Sequence, residues 1–419
     1  MSKYVRQDKS QRKHPVASSA SSLIKAPVVP TAPKERPGWK GPGFIKKAPK
    51  QARQSGRSKP AAPSSAIQEQ YLPIALQQLL LNTLRTSFPV CEEYETLKPM
   101  LEEIRVALSN GDSDRAFSRS DWMEAYSLRW GSIRALCCAT VLAEMFEDFQ
   151  EEIWVQNLLQ DRRTIKSPLR AICFGGGPIE VMAFAAVLRH TRPPLTDLQN
   201  LSITQLQPDQ PPIGSSSDTP ILELHLVNKA NWAQLLSCLE TGLLTPPMLS
   251  KYASQSAKLN NAAFISPGDL STSLLQIDIL GASQNDLAAI TGSAPALITF
   301  LFTLADLHAI STAKTAALLL KLTLVAPKNS LLLVIDSPEQ PPDVATGAEV
   351  AESEKRRYHM GKWLDLVLMD KLVSVGVTGK PAWNELIRDE NRLFRLEDGL
   401  KFPIGLDHVK FQVHLFKKQ

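Results

Sequence analysis

The fold is decided by residues 170–180, RAICFGGGPIE, in which a short apolar run breaks into three glycines and a proline. The apolar residues 171–174 predict a strand, and the apolar run 181–184 predicts the start of a helix. Three consecutive glycines permit backbone angles that a side chain forbids, and Pro178 suits a first helical turn, where its missing N–H costs nothing. This order of strand, glycine turn and helix is typical of a site that holds a nucleotide-like cofactor above the end of a strand.

Short apolar runs alternate with helical stretches on the C-terminal side of this turn. Such alternation predicts a doubly wound, largely parallel α/β sheet, and the short connection between the last two strands predicts an antiparallel hairpin, at one edge or inserted in the sheet. The predicted strands cover residues 169–174, 221–227, 262–266, 296–303, 331–335, 392–396 and 409–416. We therefore expect a Rossmann-like, seven-stranded sheet in a domain from residue 166 to residue 419.

Two further regions precede the predicted sheet. Residues 67–165 carry apolar residues at helical spacing, with acidic residues early in the stretches, and are predicted to form a helical N-terminal region. Residues 1–66 hold 15 of the 47 Lys and Arg residues but only Asp8 and Glu35 of the 42 acidic ones. A segment so rich in Lys, Pro and Ser buries too little apolar surface to fold, so we expect a disordered basic tail. Its charge, interleaved with Trp39 and Phe44, favours nuclear import and contact with nucleic acid over a merely solvating tail.

The composition argues against several classes of protein. Hydrophobic residues make up 43% and charged residues 21% of the 419 positions, as in ordinary globular proteins. No apolar run reaches the length of a membrane span, and the first residues lack the apolar segment of a secretory signal. The five cysteines show no CxxC pairing, so we expect a reduced, intracellular protein without disulfides or a metal site.

The glycine turn fits some cofactors better than others. A P-loop requires GxxxxGK followed by Ser or Thr, which the sequence lacks, and a dinucleotide site prefers a third glycine where Val181 stands. S-adenosylmethionine sites do not require that glycine, but they tend to place an acidic residue after strand two for the ribose hydroxyls. Asn228 occupies this position and binds hydroxyls more weakly than a charged acceptor. Asp269, after the predicted strand three, has the spacing of a residue that binds the adenine amino group, and Phe174 and Leu304 are candidates to pack against the cofactor.

Several stretches together resemble a known family, the fungal 25S ribosomal RNA uridine-N3 methyltransferases. The resemblance runs from about residue 68 to the C-terminus, excludes the basic tail, and is carried by CFGGGPIEVMAFA from residue 173, ELHLVNKANW from residue 223, ITFLFTLADLHAISTAKTAALLLKLT from residue 298, LLLVIDSP from residue 331 and the final strand pair from residue 392. Members of that family are S-adenosylmethionine-dependent enzymes that act on large-subunit rRNA. Together with the resemblance, the sequence implies S-adenosylmethionine as cofactor and the binding residues Phe174, Gly175, Gly176, Gly177, Pro178, Glu180, Asn228, Asp269 and Leu304.

The absence of two motifs reduces the number of methylation reactions that the sequence could support. A 5-methylcytosine enzyme needs a cysteine nucleophile after strand four or five, and no cysteine follows Cys238. An amino-methylating enzyme usually carries Asp or Asn, two prolines and an aromatic residue after strand four, and this tetrapeptide is absent there. Two possibilities remain: transfer of the methyl group to a ring imide nitrogen, or transfer to an acceptor that is not a nucleic-acid base.

Uridine N3 carries a proton that must leave as the methyl group arrives, and it lies on the Watson–Crick edge of the base. Candidates for guiding that proton are Asp306, Asp336 and His359. Asp336 is favoured because it ends a strand above the sheet, whereas Asp306 is better explained as a charge at a helix N-terminus. His359 is the second catalytic candidate, although beside Arg356 and Arg357 it could instead contact phosphate.

The sequence thus predicts an rRNA uridine-N3 methyltransferase of the nucleus or nucleolus, with the cytoplasm as a further location. Its expected partner is ribosomal RNA or the pre-ribosome, contacted electrostatically by the basic tail, with no membrane and no metal. Two alternatives stay open. The acidic excess outside the tail suits a protein or small-molecule acceptor, and Asn228 suits a non-catalytic methyltransferase-like factor in ribosome assembly.

Overall fold

The structure, a computed structural model, describes residues 71–160, 167–192, 220–255, 258, 261–338, 359–369 and 381–419. The chain divides into two units, residues 1–66 and 67–419. The predicted basic tail lies outside the described residues, as do Arg356 and Arg357.

A seven-stranded sheet forms the centre of this unit, which confirms the predicted Rossmann-like α/β fold. Its strands are β1 (Leu169–Phe174), β2 (Leu222–Asn228), β3 (Leu270–Gln276), β4 (Leu297–Leu301), β5 (Leu331–Asp336), β6 (Trp383–Phe394) and β7 (Val409–Lys418). They lie in the order β3-β2-β1-β4-β5-β7-β6. The first five are parallel, and β7 is inserted antiparallel between β5 and β6. All five parallel strands therefore end at the same edge, where ligands bind in open α/β sheets.

The predicted third strand is wrong. Residues 262–266 form a loop, although Phe264 and Ile265 are buried in the core. Arg189 holds this loop by donating to the carbonyl oxygens of Ala263 and Phe264 at 2.7 and 3.1 Å. The actual strand, β3, is an edge strand in which several residues are exposed, so its sequence LSTSLLQ lacks a continuous apolar run.

The predicted sixth strand, residues 392–396, overlaps only the end of β6. Most of β6 is an edge strand with the sequence WNELIRDENRLF, and many of its polar side chains face solvent. The hairpin it forms with β7 was expected. Charged residues at an exposed edge discourage pairing with other chains. They also interrupt the apolar pattern of β6, so the sequence did not predict a strand over most of its length.

Helices cover both faces of the sheet. They are α1 (Ile74–Ser87), α2 (Tyr94–Ser109), α3 (Ser113–Ala116), α4 (Ser120–Tyr126), α5 (Ser132–Asp148), α6 (Ile153–Leu159), α7 (Pro178–Thr191), α8 (Ala233–Leu244), α9 (Gln284–Thr291), α10 (Leu304–Ile310), α11 (Thr312–Val325) and α12 (Met360–Leu364). One core cluster joins Leu136 of α5 to Val181 of α7 and Leu415 of β7. The helical N-terminal region therefore shares a single core with the sheet. None of the described helices is long and apolar enough to cross a membrane.

Within the helical N-terminal region, a π-helical turn, Ser127–Gly131, separates the helices α4 and α5. Gly131 sits where α5 packs on the start of α7, because a Cβ at this position would lie 3.5 Å from Cγ1 of Ile179. π-Helical turns often occur at functional sites. Here the turn brings the beginning of α5 next to the glycine turn.

Candidate cofactor and active site

The glycine turn between β1 and α7 uses its own backbone N–H groups. Gly175 N donates to the carbonyl oxygen of Val227 at 2.8 Å, and Gly176 N donates to that of Cys173 at 3.1 Å. Gly177 N donates to Oε2 of Glu180 at 2.7 Å. Each of the three glycines thus has a partner for its N–H inside the protein.

Two of the glycines are required by geometry. Gly175 has φ +76°, and a Cβ there would lie 2.3 Å from Cγ2 of Thr303. A Cβ on Gly176 would lie 2.8 Å from both Cβ and the carbonyl oxygen of Cys173. Any side chain at either position would displace the turn from the strands beneath it.

Glu180 caps the start of α7 from inside the protein. Its side chain is 2% exposed. Burial raises the pKa of Glu180 to about 8, and the hydrogen bond from Gly177 N opposes the rise. The Glu180 carboxyl group thus accepts a hydrogen bond from the glycine turn. The N-terminus of α7 therefore has a hydrogen-bond acceptor that belongs to the protein itself.

Asn228, at the end of β2, holds the same turn from the other side. Its Nδ2 donates to the carbonyl oxygens of Gly175 and Gly176 at 2.8 and 3.0 Å. Its Oδ1 accepts from Ala230 N at 2.9 Å. An aspartate cannot donate to carbonyl oxygens. The amide at a position where an acidic residue was expected is therefore explained by its contacts with the turn.

A cavity of about 480 Å³ opens at the carboxyl ends of β1 to β4. From β1 and α7 it is lined by Gly175, Gly177, Pro178 and Glu180, and from the loop after β2 by Asn228 and Trp232. The ends of β3 and β4 contribute Asp278, Phe302, Thr303 and Asp306, and the helical region contributes Tyr126 and Arg134. The cavity thus combines the ends of four strands with residues of the helical N-terminal region.

Two predicted cofactor contacts lie in the core instead. Phe174 is fully buried and stacks on Phe300 with ring centroids 5.2 Å apart. Leu304 is also fully buried, in the core cluster on the face of the sheet covered by α9 and α11. Neither of them lines the cavity, and neither does Gly176, which lies close to Cys173 and Leu226.

Asp269 lies at the opposite edge of the sheet from the glycine turn, because it precedes β3. Its carboxyl accepts from Ser266 N at 3.0 Å. The acidic residue that follows β3 is Asp278, which lines the cavity and accepts from Leu280 N at 3.0 Å. Because the third strand was predicted at residues 262–266, Asp269 was taken for the acidic residue that follows it. With β3 at Leu270–Gln276, the residue in that position is Asp278.

The two predicted catalytic residues do not line the cavity. Asp336 is 3% exposed, and its two oxygens accept from Ala305 N and Ser337 N, both at 2.8 Å. Burial raises the pKa of Asp336 to about 6, and the two N–H donors oppose the rise. Asp336 therefore anchors the start of α10. His359 is exposed at the residue before α12.

Asp306 lines the cavity from the first turn of α10 and is exposed. The surrounding protein partly withdraws it from bulk water, which raises the pKa of Asp306, and the Arg134 guanidinium opposes this. The sequence favoured Asp306 as a charge at a helix N-terminus, but in the structure it also faces the cavity.

Arg134 and Tyr126 were not predicted. Arg134 Nη1 donates to the Tyr126 hydroxyl at 2.6 Å, and the guanidinium lies 4.8 Å from the ring centroid of Phe302. Phe302 has φ +56°, which is uncommon for a residue with a side chain and is often found at functional sites. A charged residue inside the otherwise apolar start of α5 was the available signal for Arg134.

Comparison with known proteins gives a family. A family model described as "Putative SAM-dependent methyltransferase" matches residues 84–417. No curated protein matches the sequence. Similar solved structures include the carbon methyltransferase CurJ (11% identity, 83% of this chain and 71% of that chain, TM-score 0.32). Others are an O-methyltransferase family protein from Burkholderia thailandensis (11%, 77% and 72%, TM-score 0.29) and a methyltransferase from Clostridium acetobutylicum (11%, 66% and 91%, TM-score 0.28).

Replacing Asn228 with aspartate should destabilise the glycine turn. The Gly175 and Gly176 carbonyl oxygens would lose both donors and face a carboxylate instead. We expect N228D to lower the free energy of unfolding by about 1–3 kcal/mol. The loss should be larger at about pH 8 than at about pH 4, where much of the aspartate still carries a proton. Urea unfolding followed by circular dichroism at both pH values measures this.

Asn231→Asp is the matched control. Asn231 accepts from Ala233 N at 3.2 Å, which a carboxylate also does. Equal stability of the two variants at high pH would contradict the role assigned to Asn228.

The buried carboxyl of Glu180 should make stability depend on pH. Its pKa of about 8 in the folded protein lies above its ordinary value of 4.5. The folded state therefore holds the proton more tightly, and the free energy of unfolding should fall as the pH rises between these two values. Asp336 contributes in the same direction at lower pH.

Gln accepts the same hydrogen bond without titrating, so E180Q should flatten the dependence of stability on pH. Urea unfolding across this range measures it, with exposed Glu103→Gln as control; an unchanged slope in E180Q would rule out the assignment.

Proposed function

This chain belongs to a family of S-adenosylmethionine-dependent methyltransferases, and we propose that it methylates N3 of a uridine in 25S large-subunit ribosomal RNA. The observation that carries the proposal is the Asp306 carboxyl, which opens into the cavity beyond the end of β4. The resemblance to the fungal rRNA uridine-N3 methyltransferases supports the same acceptor.

The residues of the cavity fit S-adenosylmethionine. Its volume of about 480 Å³ lies within the range of roughly 300–1,000 Å³ that is usual for small-molecule sites. Gly175 and Thr303 both line the cavity, and the absence of a side chain at Gly175 lets Thr303 approach the turn closely. Asp278, after β3, offers a carboxylate to the adenine amino group, and Arg134 offers a cation at the far end.

The cavity favours direct transfer to a ring nitrogen over covalent catalysis. No cysteine is found among the described residues that line it. Cys137, Cys138 and Cys173 lie in the core, where burial raises the pKa of each thiol well above its ordinary value. β4 is followed by Phe302-Thr303-Leu304 rather than by the proline-containing tetrapeptide of amino-methylating enzymes.

In this proposal, Asp306 accepts the N3 proton. Bound S-adenosylmethionine supplies a methyl group on a positively charged sulfur. With the cofactor bound, N3 would take the methyl group as the neutral thioether leaves, and the Asp306 carboxylate would accept the proton that N3 loses. Asp336 supports this step indirectly, because it fixes the first turn of α10, on which Asp306 stands.

The acceptor base must be unpaired, since N3 lies on its Watson–Crick edge. The basic residues 1–66 supply attraction to RNA phosphates in this proposal. Ribosomal RNA or a pre-ribosome is the corresponding partner, and the nucleus or nucleolus is the corresponding location.

Incubating the full-length protein with methyl-labelled S-adenosylmethionine and unmodified large-subunit rRNA tests the proposal. We expect label in 3-methyluridine after digestion to nucleosides. Label in another nucleoside would reject N3 of uridine. Full activity after nuclease treatment would point to a protein or small-molecule acceptor, and absence of cofactor binding in calorimetry would point to a non-catalytic assembly factor.

Replacing Asp306 with asparagine should lower kcat by about 100- to 10,000-fold, the usual contribution of a positioned proton acceptor. Thermal stability should stay close to that of the wild type because Asp306 is exposed within the cavity. Asp336→Asn is the contrasting variant. It places an NH₂ group against a buried N–H donor, so it should lower Tm. Single-turnover rates and thermal unfolding of both variants measure this, and unchanged kcat in D306N would remove Asp306 from the mechanism.

A further inference from the structure

The glycine turn has no N–H group left for a ligand at residues 175–178. Gly175, Gly176 and Gly177 each donate to a group of the protein, and Pro178 has no N–H. The carboxyl of Glu180 already occupies the acceptor position at the start of α7. S-adenosylmethionine carries a carboxylate on its amino-acid end, and a carboxylate taken from water needs donors or a cation. These must come from another part of the cavity.

Two cationic side chains are found among the described residues that line the cavity, Arg134 and Lys229. Lys229 is 61% exposed and pairs with Asp114 at 2.6 Å. Arg134 is partly buried, and its hydrogen bond within the described structure goes to the uncharged Tyr126 hydroxyl. Arg134 is therefore the cation whose charge lacks a carboxylate within hydrogen-bonding distance among the described residues.

Arg134 also lies at the right end of the cavity. It follows Gly131 by one helical turn, and Gly131 packs on Ile179 in the first turn of α7. Its guanidinium lies between the Tyr126 hydroxyl and the ring of Phe302, which follows β4. In the strand order β3-β2-β1-β4, this is the opposite end from Asp278. A cofactor with its adenine near Asp278 would bring its amino-acid end to Arg134.

We propose that Arg134 binds the carboxylate of S-adenosylmethionine and that Tyr126 and Phe302 hold its guanidinium in position. A guanidinium presents paired N–H donors in a plane, which match the two oxygens of a carboxylate. A planar group already held by two aromatic residues loses little further freedom when it binds. The inference concerns the cofactor alone, so it stands whichever acceptor the enzyme uses.

Two ligands separate this role from a general effect on the cavity. S-adenosylhomocysteine carries the amino-acid end, whereas 5′-methylthioadenosine has the same adenosine and a thioether but no carboxylate. In calorimetric titrations of the full-length protein, R134M should bind S-adenosylhomocysteine roughly ten- to a hundredfold more weakly, as expected for a lost charge-assisted pair. Its affinity for 5′-methylthioadenosine should match that of the wild type.

Arg129→Met is the matched control, because Arg129 lies in the preceding turn and pairs with Asp407 at the surface. It should leave both affinities unchanged. Should R134M fail to fold, R134K and Y126F carry the test. R134K keeps the charge but loses the paired donors, and Y126F loosens the guanidinium, so each should weaken S-adenosylhomocysteine alone. Wild-type affinity for S-adenosylhomocysteine in R134M, or an equal loss for both ligands, would overturn the proposal.

Discussion

The site depends on the amide of Asn228, which joins the ends of β1 and β2. It binds two adjacent carbonyl oxygens of the glycine turn and so fixes the backbone where the chain leaves the sheet. Gly175 can follow this path only with positive φ and with Thr303 of the β4 loop against its Cα. The ends of β1, β2 and β4 are thereby held together. The N–H groups of the three glycines all donate to groups of the protein, so the turn shapes the cavity without offering these donors to a ligand.

The side chains that supply charge come from elsewhere. Tyr126 and Arg134 stand on α4 and α5, which share one apolar core with the sheet, so that their position is as well defined as that of the strand ends. Asp306 stands on α10, whose start is held by the buried Asp336. Backbone geometry and electrostatics are thus divided between the sheet and the helices around it.

Local sequence was enough to predict elements whose signal is local. β1 and the start of α7 lie where the apolar run, the glycines and Pro178 predicted them. β3 was missed because an edge strand needs few apolar residues, while the buried loop containing Phe264 imitated one. Asn228 was placed correctly, but its contacts depend on a turn more than 50 residues away. Arg134 could not be assigned, because nothing within α5 shows that its side chain reaches Phe302 across the fold.

The position of β7 has a consequence for how the chain acquires its structure. Leu331 of β5 pairs with Lys417 of β7, and β6 joins the sheet through β7. Until residues 409–418 have been synthesised, β5 has an unpaired edge and β6 has no place in the sheet. Such late, non-local pairing slows folding and exposes strand edges that can join other chains. During translation, the sheet can therefore be completed on this side only after residues 409–418 have left the ribosome.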